Sequence, residues 1–396
     1  MHKIKSLLLI IISFSFISVN AQEIKEKTDK PAIDTSPFES SAKHWYFIYD
    51  KNNIINPKPN QPKFQATEIA SIADNILIYQ RSNGGWPKNY DMQAILTLQQ
   101  KDSLIKTKNL LNTTFDNSTT FTHIEYLSKA YTLTRNEKYK KACLQGIDFI
   151  LKAQYPNGGW PQYYPLEKGY SRHITFNDNA YIGIMNLFKD ITDHESYYSY
   201  IDSAYRIKIT NALNKGIQCI LNCQISENGI LTAWCQQHDE KNLKPAWARK
   251  FEPPSICNQE SVNIVLFLME LSKPDKKVIC AIESAMKWFN DSKILNTRVE
   301  VIKAPLEQFQ FNKSNTDRVV VIDSSAPPIW TRYYELKTHR PLFCDRNSKF
   351  LYSLAEVSRE RRSGYGWYTY EPQQALNKFP QWQKKWGQKT GTPEKQ

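Results

Sequence analysis

Three stretches of the chain set an arginine among aromatic, proline and cysteine neighbours: Trp247-Ala248-Arg249, Trp330-Thr331-Arg332-Tyr333-Tyr334 and Arg340-Pro341-Leu342-Phe343-Cys344-Asp345-Arg346. Most arginines of a basic protein solvate its surface, but these neighbourhoods read as buried. There a guanidinium fork is suited to gripping a carboxylate through two parallel hydrogen bonds. Two other stretches put a carboxylate beside an amide, in Thr114-Phe115-Asp116-Asn117 and Thr175-Phe176-Asn177-Asp178. Such oxygen-rich clusters suit a hard cation such as calcium, and two carboxylates gathered at one place repel each other unless they share one. The plainer role for Asp116 and Asp178 is that of helix N-caps; the residues alone leave both open. Gly-x-Ser-x-Gly, His-Glu-x-x-His and P-loop patterns are absent.

Elements must gather these residues from distant parts of the chain, and a repeat supplies them. Ile76-Leu77, Gln80 and Asn83-Gly84-Gly85-Trp86-Pro87 recur as Ile150-Leu151, Gln154 and Asn157-Gly158-Gly159-Trp160-Pro161, and more weakly as Ile220-Leu221, Gln224 and Asn228-Gly229. The Asn positions lie 74 and then 71 residues apart, long enough for a pair of helices per unit. Repeated helical pairs predict a mainly α array or toroid. Gly ends a helix, Pro restarts the chain and Trp packs between units, so the loop tryptophans are read as structural rather than as sugar-stacking platforms. After each Gly-rich loop a polar cluster opens an apolar helical pattern: Asp116-Asn117, Asn177-Asp178, Cys257-Asn258-Gln259-Glu260-Ser261 and Cys344-Asp345-Arg346-Asn347-Ser348. If these helices share one orientation, their N-termini meet at one mouth. Between about 291 and 325 helical periodicity fades, and Arg298–Ile302 and Arg318–Ile322 read as the strands of an inserted hairpin.

Residues 1–21 carry the marks of a signal peptide: a basic start, an apolar run from Leu7 to Val19, and Val19-Asn20-Ala21 before the expected cut. The run falls short of the roughly 20 residues that span a bilayer, so export to the periplasm or the exterior is expected, with no stable membrane anchor. Residues 22–43 are expected as a flexible leader, and 44–390 as the catalytic domain. The formal charge of +13 becomes +11 once Lys3 and Lys5 leave with the signal, an excess that concentrates polyanions. Export favours an acidic glycan over nucleic acid as the partner. The seven cysteines fit neither a disulfide scaffold nor a zinc motif and are read mostly as small core residues.

The separated motifs, in their order, resemble those of the family 10 polysaccharide lyases across roughly residues 65–388. They comprise Asn83 to Met92, Thr113 to Thr122, Asn157 to Pro165, Ser171 to Ala180, Trp234 to Asp239, Trp247 to Arg249, Trp330 to Ser348 and Tyr365 to Tyr368. The resemblance implies an α/α toroid of repeated helical pairs with a small β-rich portion. It also implies calcium-dependent cleavage of demethylated polygalacturonate (pectate) by β-elimination. Carried over by motif, Arg346 becomes the base, Arg332 and Arg249 hold substrate carboxylates, and Asp116, Asn117 and Asp178 fall on calcium-associated positions. A monomer is expected. One position departs from the family pattern, which usually has Gly before the base: here it is Asp345. An anion there disfavours loss of the Arg346 proton unless its side chain points away. Two other classes remain open: a toroid glycoside hydrolase using Asp116 and Asp178 as its carboxylate pair, and a non-catalytic acidic-glycan-binding protein in which Arg346 only clamps.

Overall fold

In the computed structural model the described residues are 31–387, apart from 49, 51, 311 and 312; the expected signal peptide lies outside them. They contain eleven α-helices: α1 (Glu39–Phe47), α2 (Ile69–Tyr79), α3 (Leu98–Lys106), α4 (Phe121–Thr134), α5 (Glu137–Ala153), α6 (Ala180–Thr192), α7 (Ser203–Cys223), α8 (Asn258–Met269), α9 (Lys276–Asp291), α10 (Arg359–Gly364) and α11 (Pro372–Trp386). The long helices pair as α4 with α5, α6 with α7 and α8 with α9, while α4 touches α6 and α6 touches α8. Burial sorts each pair. Nine of 14 residues are buried in α4, nine of 13 in α6 and eight of 12 in α8, against eight of 17 in α5, seven of 21 in α7 and seven of 16 in α9. The first set therefore lines the inside and the second keeps one wet face, which is the α/α arrangement that the repeat predicts.

The repeated residues hold successive pairs together. The Trp86, Trp160 and Trp234 indoles donate to the carbonyls of Ile76, Ile150 and Ile220 at 2.8 to 2.9 Å. Gln80, Gln154 and Gln224 donate from Nε2 both within their own loop and across to Ala142 on α5, Ala212 on α7 and Ala281 on α9, at 2.9 to 3.0 Å. Gly84 and Gly158 take φ of +97° and +93°, and a Cβ on either would lie 2.3 or 2.1 Å from a carbonyl oxygen of Gln145 or Lys215. Glycine is required there by handedness and by closeness at once. Trp86 and Trp160 are fully buried, in keeping with packing and not sugar stacking. Trp330, whose indole donates to Phe289 O at 2.8 Å, is a fourth copy.

A small four-stranded antiparallel sheet adjoins the helices, in the order Phe350–Leu351, Pro341–Cys344, Tyr333–Tyr334, Ile256–Cys257. The long hairpin Thr297–Gln308 with Lys313–Ile322 occupies the region where periodicity fades. Two expectations change. Ile33 and Phe38 are buried in the main core and α1 starts at Glu39, so order begins inside the stretch read as a flexible leader, whose few apolar residues find a groove. Leu351, Leu354 and Val357 are buried at helical spacing, but they lie on a strand, a three-residue 3-10 turn and the residue after it. Period-three burial here comes from a chain folding back, not from a helix. Six of the seven cysteines are buried, Cys280 is exposed, and all are free thiols. No helix among the described residues is long and apolar enough to cross a membrane.

Candidate functional site

The three predicted arginines gather around one aromatic pair. Phe251 and Tyr365 meet edge to face at 5.2 Å. The guanidinium carbons of Arg249 and Arg346 stand 4.9 and 5.2 Å from the Phe251 ring, and that of Arg332 stands 4.9 Å from the Tyr365 ring. The small sheet does the gathering. Its Tyr333–Tyr334 strand follows Arg332, its Pro341–Cys344 strand runs up to Arg346, and its Ile256–Cys257 strand leads into α8. Arg346 thus sits on a strand-to-strand turn, closed by Ser348 N donating to Asp345 O at 2.9 Å and by Ser348 at φ 63°. It does not open a helix, as its sequence context predicted.

Each arginine already grips an internal carboxylate. Arg249 holds Glu252 through Nε and Nη2 at 2.8 and 2.5 Å, Arg346 holds Glu360 through the same atoms at 2.8 Å each, and Arg332 Nη2 reaches Glu260 Oε1 at 2.5 Å. Arg332 is buried with its Nε unpartnered; burial opposes its charge, but Glu260 together with the neighbouring Tyr333 and Tyr365 more than offsets that, and its pKa is raised. Glu252 resists burial in the same way: the Arg249 fork holds its pKa below the usual carboxylate range. The hydrogen bond from Arg346 likewise holds Glu360 down. Asp345 points elsewhere, accepting from Arg346 N, Ser358 N and Ser358 Oγ at 2.7 to 2.8 Å. The anion facing the Arg346 guanidinium is therefore Glu360.

The carboxylates converge as well, and neither caps a helix. The residues at the N-caps of α4 and α6 are Thr120 and Asn179. Asp116 is buried, with Oδ2 paired to Lys88 and Oδ1 lacking any hydrogen-bond partner. Burial opposes the Lys88 charge, but Asp116 and Tyr163 more than offset it, and the Lys88 pKa is raised. Asn117 donates from Nδ2 to Asn89 Oδ1 at 2.8 Å, turning its amide oxygen the other way. Asn177 links the two halves of the site: its Nδ2 donates to Asp178 Oδ2 at 2.6 Å and its Oδ1 accepts from Arg332 Nη2 at 3.0 Å. Asp178 is exposed at the rim of a cavity of about 230 Å³ that Asn117 and Glu260 also line. Desolvation by the surrounding protein, then Asp116 and Glu260, raise its pKa to about 6, while Arg332 and Arg249 pull the other way. An orphaned buried carboxylate oxygen beside a carboxyl held reluctant to ionise fits a hard cation.

Glu252, Glu260, Glu360 and Lys88 were not singled out in the sequence. Glu260 carried a signal, since it stands in the third polar cluster where Asp116 and Asp178 stand in the first two. Lys88 carried one too: the residue after Trp-Pro is Lys in the first copy and Gln162 in the second. A different set, His173, Asp239 and Glu240, brings its ligand atoms within 4.8 Å of one another; there Glu240 already holds Arg172 at 2.7 Å and His173 Nδ1 at 3.0 Å.

Residues 80–376 match the family described as pectic acid lyase. No curated protein matches the chain. Among solved structures, the family 10 polysaccharide lyase from Cellvibrio cellulosa is similar at 30% identity, with a TM-score of 0.66 over 79% of this chain and 91% of that one. An aspartate-to-alanine mutant of that lyase in complex with trigalacturonic acid gives 0.67, at 30% identity over 79% and 92%. The helical pairs are those of a helical toroid, and with three quarters of its length matched, this chain belongs to the pectic acid lyase family as a family 10 polysaccharide lyase.

Proposed function

We propose that this lyase is an exported, calcium-dependent pectate lyase that acts on demethylated polygalacturonate by β-elimination and releases unsaturated oligogalacturonates. The observation that carries the reading is the convergence of Arg249, Arg332 and Arg346 on one aromatic pair, beside an Asp116 oxygen that has no protein partner. The mutant Cellvibrio lyase holds a trigalacturonate, and the carboxylates of a substrate of that class are what the guanidinium groups of Arg249 and Arg332 would grip. A methyl ester removes the charge that they recognise.

The uronate C5 hydrogen lies α to a carboxylate. The C5 proton passes to Arg346 in its neutral guanidine form, which thereby becomes the guanidinium; the C–H electron pair becomes the C4=C5 double bond, and the C4–O bond breaks with its electrons on the leaving glycosidic oxygen, which is then protonated. Charge builds on the carboxylate in this step, so groups aimed at that carboxylate lower the barrier. Arg332 and Arg249 supply two of them, and their internal glutamates fix each fork before substrate arrives. Asp116, Asn117 and Asp178 are the residues that would hold calcium, which when bound neutralises the carboxylate as a Lewis acid and acidifies C5. Membership of a lyase family weighs against the hydrolase alternative.

The test follows ultraviolet absorbance of polygalacturonate with purified protein, with calcium and with excess chelator. Absorbing unsaturated ends in calcium alone are expected. Full turnover in chelator removes the calcium requirement, reducing ends without absorbance indicate hydrolysis, and neither product leaves a binding protein. Arg332→Ala should cut kcat/KM by about tenfold or more, as loss of a charge-assisted contact does.

A further inference from the structure

Residues 32–47 precede the family match, which begins at residue 80, yet they reach the site. Ser40 lines the cavity shared by Asn117, Asp178 and Glu260. Ser41 Oγ donates to Asn117 O at 3.0 Å in a buried bond. Phe38 meets the edge of His123 at 5.2 Å, and His123 Nδ1 in turn accepts from Thr120 N at 3.2 Å. The Ser41 bond falls on the turn 116–120 itself, and the Phe38 contact reaches it through His123.

That turn needs holding. Asn117, Ser118 and Thr120 adopt φ of 51°, 57° and 71°, a conformation that non-glycine residues keep only when their surroundings over-determine it. His123 is buried, which pushes its pKa down to about 3. Its ring is neutral at every working pH and keeps an acceptor for Thr120 N. The segment is itself anchored, by Trp45 Nε1 donating to Ile55 O and Tyr46 OH to Asp91 Oδ2, each at 3.0 Å.

We propose that the N-terminal segment Ser36–Phe47 is a positioning element of the cation site: through Ser41 and Phe38 it holds the 116–120 turn left-handed, so that Asp116 and Asn117 stand ready beside Asp178. The inference rests on the calcium reading above. It assigns function to a stretch outside the family match, of which residues 36–43 read by composition as a leader. Pre-forming the ligand turn removes an ordering cost that binding otherwise bears.

The full chain tests this in two independent readouts, with Ser41→Ala and the hydroxyl-keeping Ser41→Thr. Substrate-free calorimetric titration with calcium chloride measures the site, and amide hydrogen exchange of a peptide spanning 114–123 measures the turn. Ser41→Ala should speed exchange and weaken calcium binding by about three- to tenfold each, the worth of one hydrogen bond, and Ser41→Thr should restore both. Unchanged exchange overturns the proposal, and so does faster exchange with unaltered calcium affinity, which makes the segment merely structural. If wild-type protein takes up no calcium, the calcium reading itself falls. The exchange rates then still decide whether the segment holds the turn.

Discussion

Asp345 and Glu360 show how one contact redirects an argument about charge. An anion next to Arg346 in sequence is a natural suspect for holding its proton, yet Asp345 spends both oxygens on its own turn and on the entry to α10. Glu360, 14 residues on, clasps the guanidinium. Replacing Asp345 by Gly should therefore lower stability with little movement of the pH–rate profile, whereas Glu360→Gln should shift the rise of activity toward lower pH. Unsaturated-product rates across alkaline pH for both variants check this; a shift with Asp345→Gly alone reverses the assignment. Asp178 gives a second expectation. Its folded pKa of about 6 lies above the roughly 3.9 of a free Asp, so the folded chain binds the extra proton between those values. Stability from this group is present at low pH and lost as pH rises through about 6. Calcium competes for the same carboxylate, so its affinity should fall about tenfold per pH unit below that value. Asp178→Asn should raise the melting temperature of calcium-free protein at pH 7 and abolish the rise that calcium produces; a lowered melting temperature would mean that the ionised carboxylate stabilises. Arginines and acids were legible as residues because their neighbours were unusual. Of their internal partners only Glu260 left a trace, through its place in the third polar cluster; Glu252 and Glu360 did not, since a lone Glu carries no pattern until the fold supplies its arginine.

At the scale of elements, the helical repeat was legible because the same three jobs recur. A glutamine bridges to the next outer helix, a tryptophan donates back to an isoleucine, and a glycine passes under a carbonyl. The fourth copy was hidden because the hairpin Thr297–Ile322 separates α9 from Trp330. The sheet that carries Arg332 and Arg346 was harder still. Its strands run only two to four residues, too few for alternation to rise above chance. Glycine substitutions separate the two demands on the loops. Gly229 has φ +79° but open space around it, whereas Gly158 combines φ +93° with a carbonyl oxygen 2.1 Å from where a Cβ would stand. Gly229→Ala should cost about 1–2 kcal/mol, the penalty of handedness alone, and Gly158→Ala distinctly more, because α7 must move. Urea unfolding of the two variants measures the difference, and equal losses would show that the close approach is relieved without cost.

For the molecule as a whole, charge and shape act at different ranges. Arg249, Arg332 and Arg346 are each paired locally with a glutamate, so the excess positive charge, +13 on the full chain and +11 without Lys3 and Lys5, belongs mostly to lysines and arginines outside the site. Such a field draws a polyanion toward the protein without choosing where it binds. The site then chooses, through forks and oxygens fixed before substrate arrives. The two contributions respond differently to salt. Screening shortens from about 8 Å at physiological ionic strength to about 3 Å at 1 M, which removes long-range attraction but leaves buried pairs such as Arg332–Glu260 largely intact. Raising sodium chloride from dilute buffer to high salt should therefore raise KM for long polygalacturonate severalfold, with smaller changes in kcat and melting temperature. Trigalacturonate has few charges beyond the site, so its KM should move less. Initial rates for both substrates over a salt series, at fixed free calcium, test the division. If the trimer and the polymer lose affinity in parallel, the excess charge plays no part in capture, and binding is the work of the arginine cluster alone.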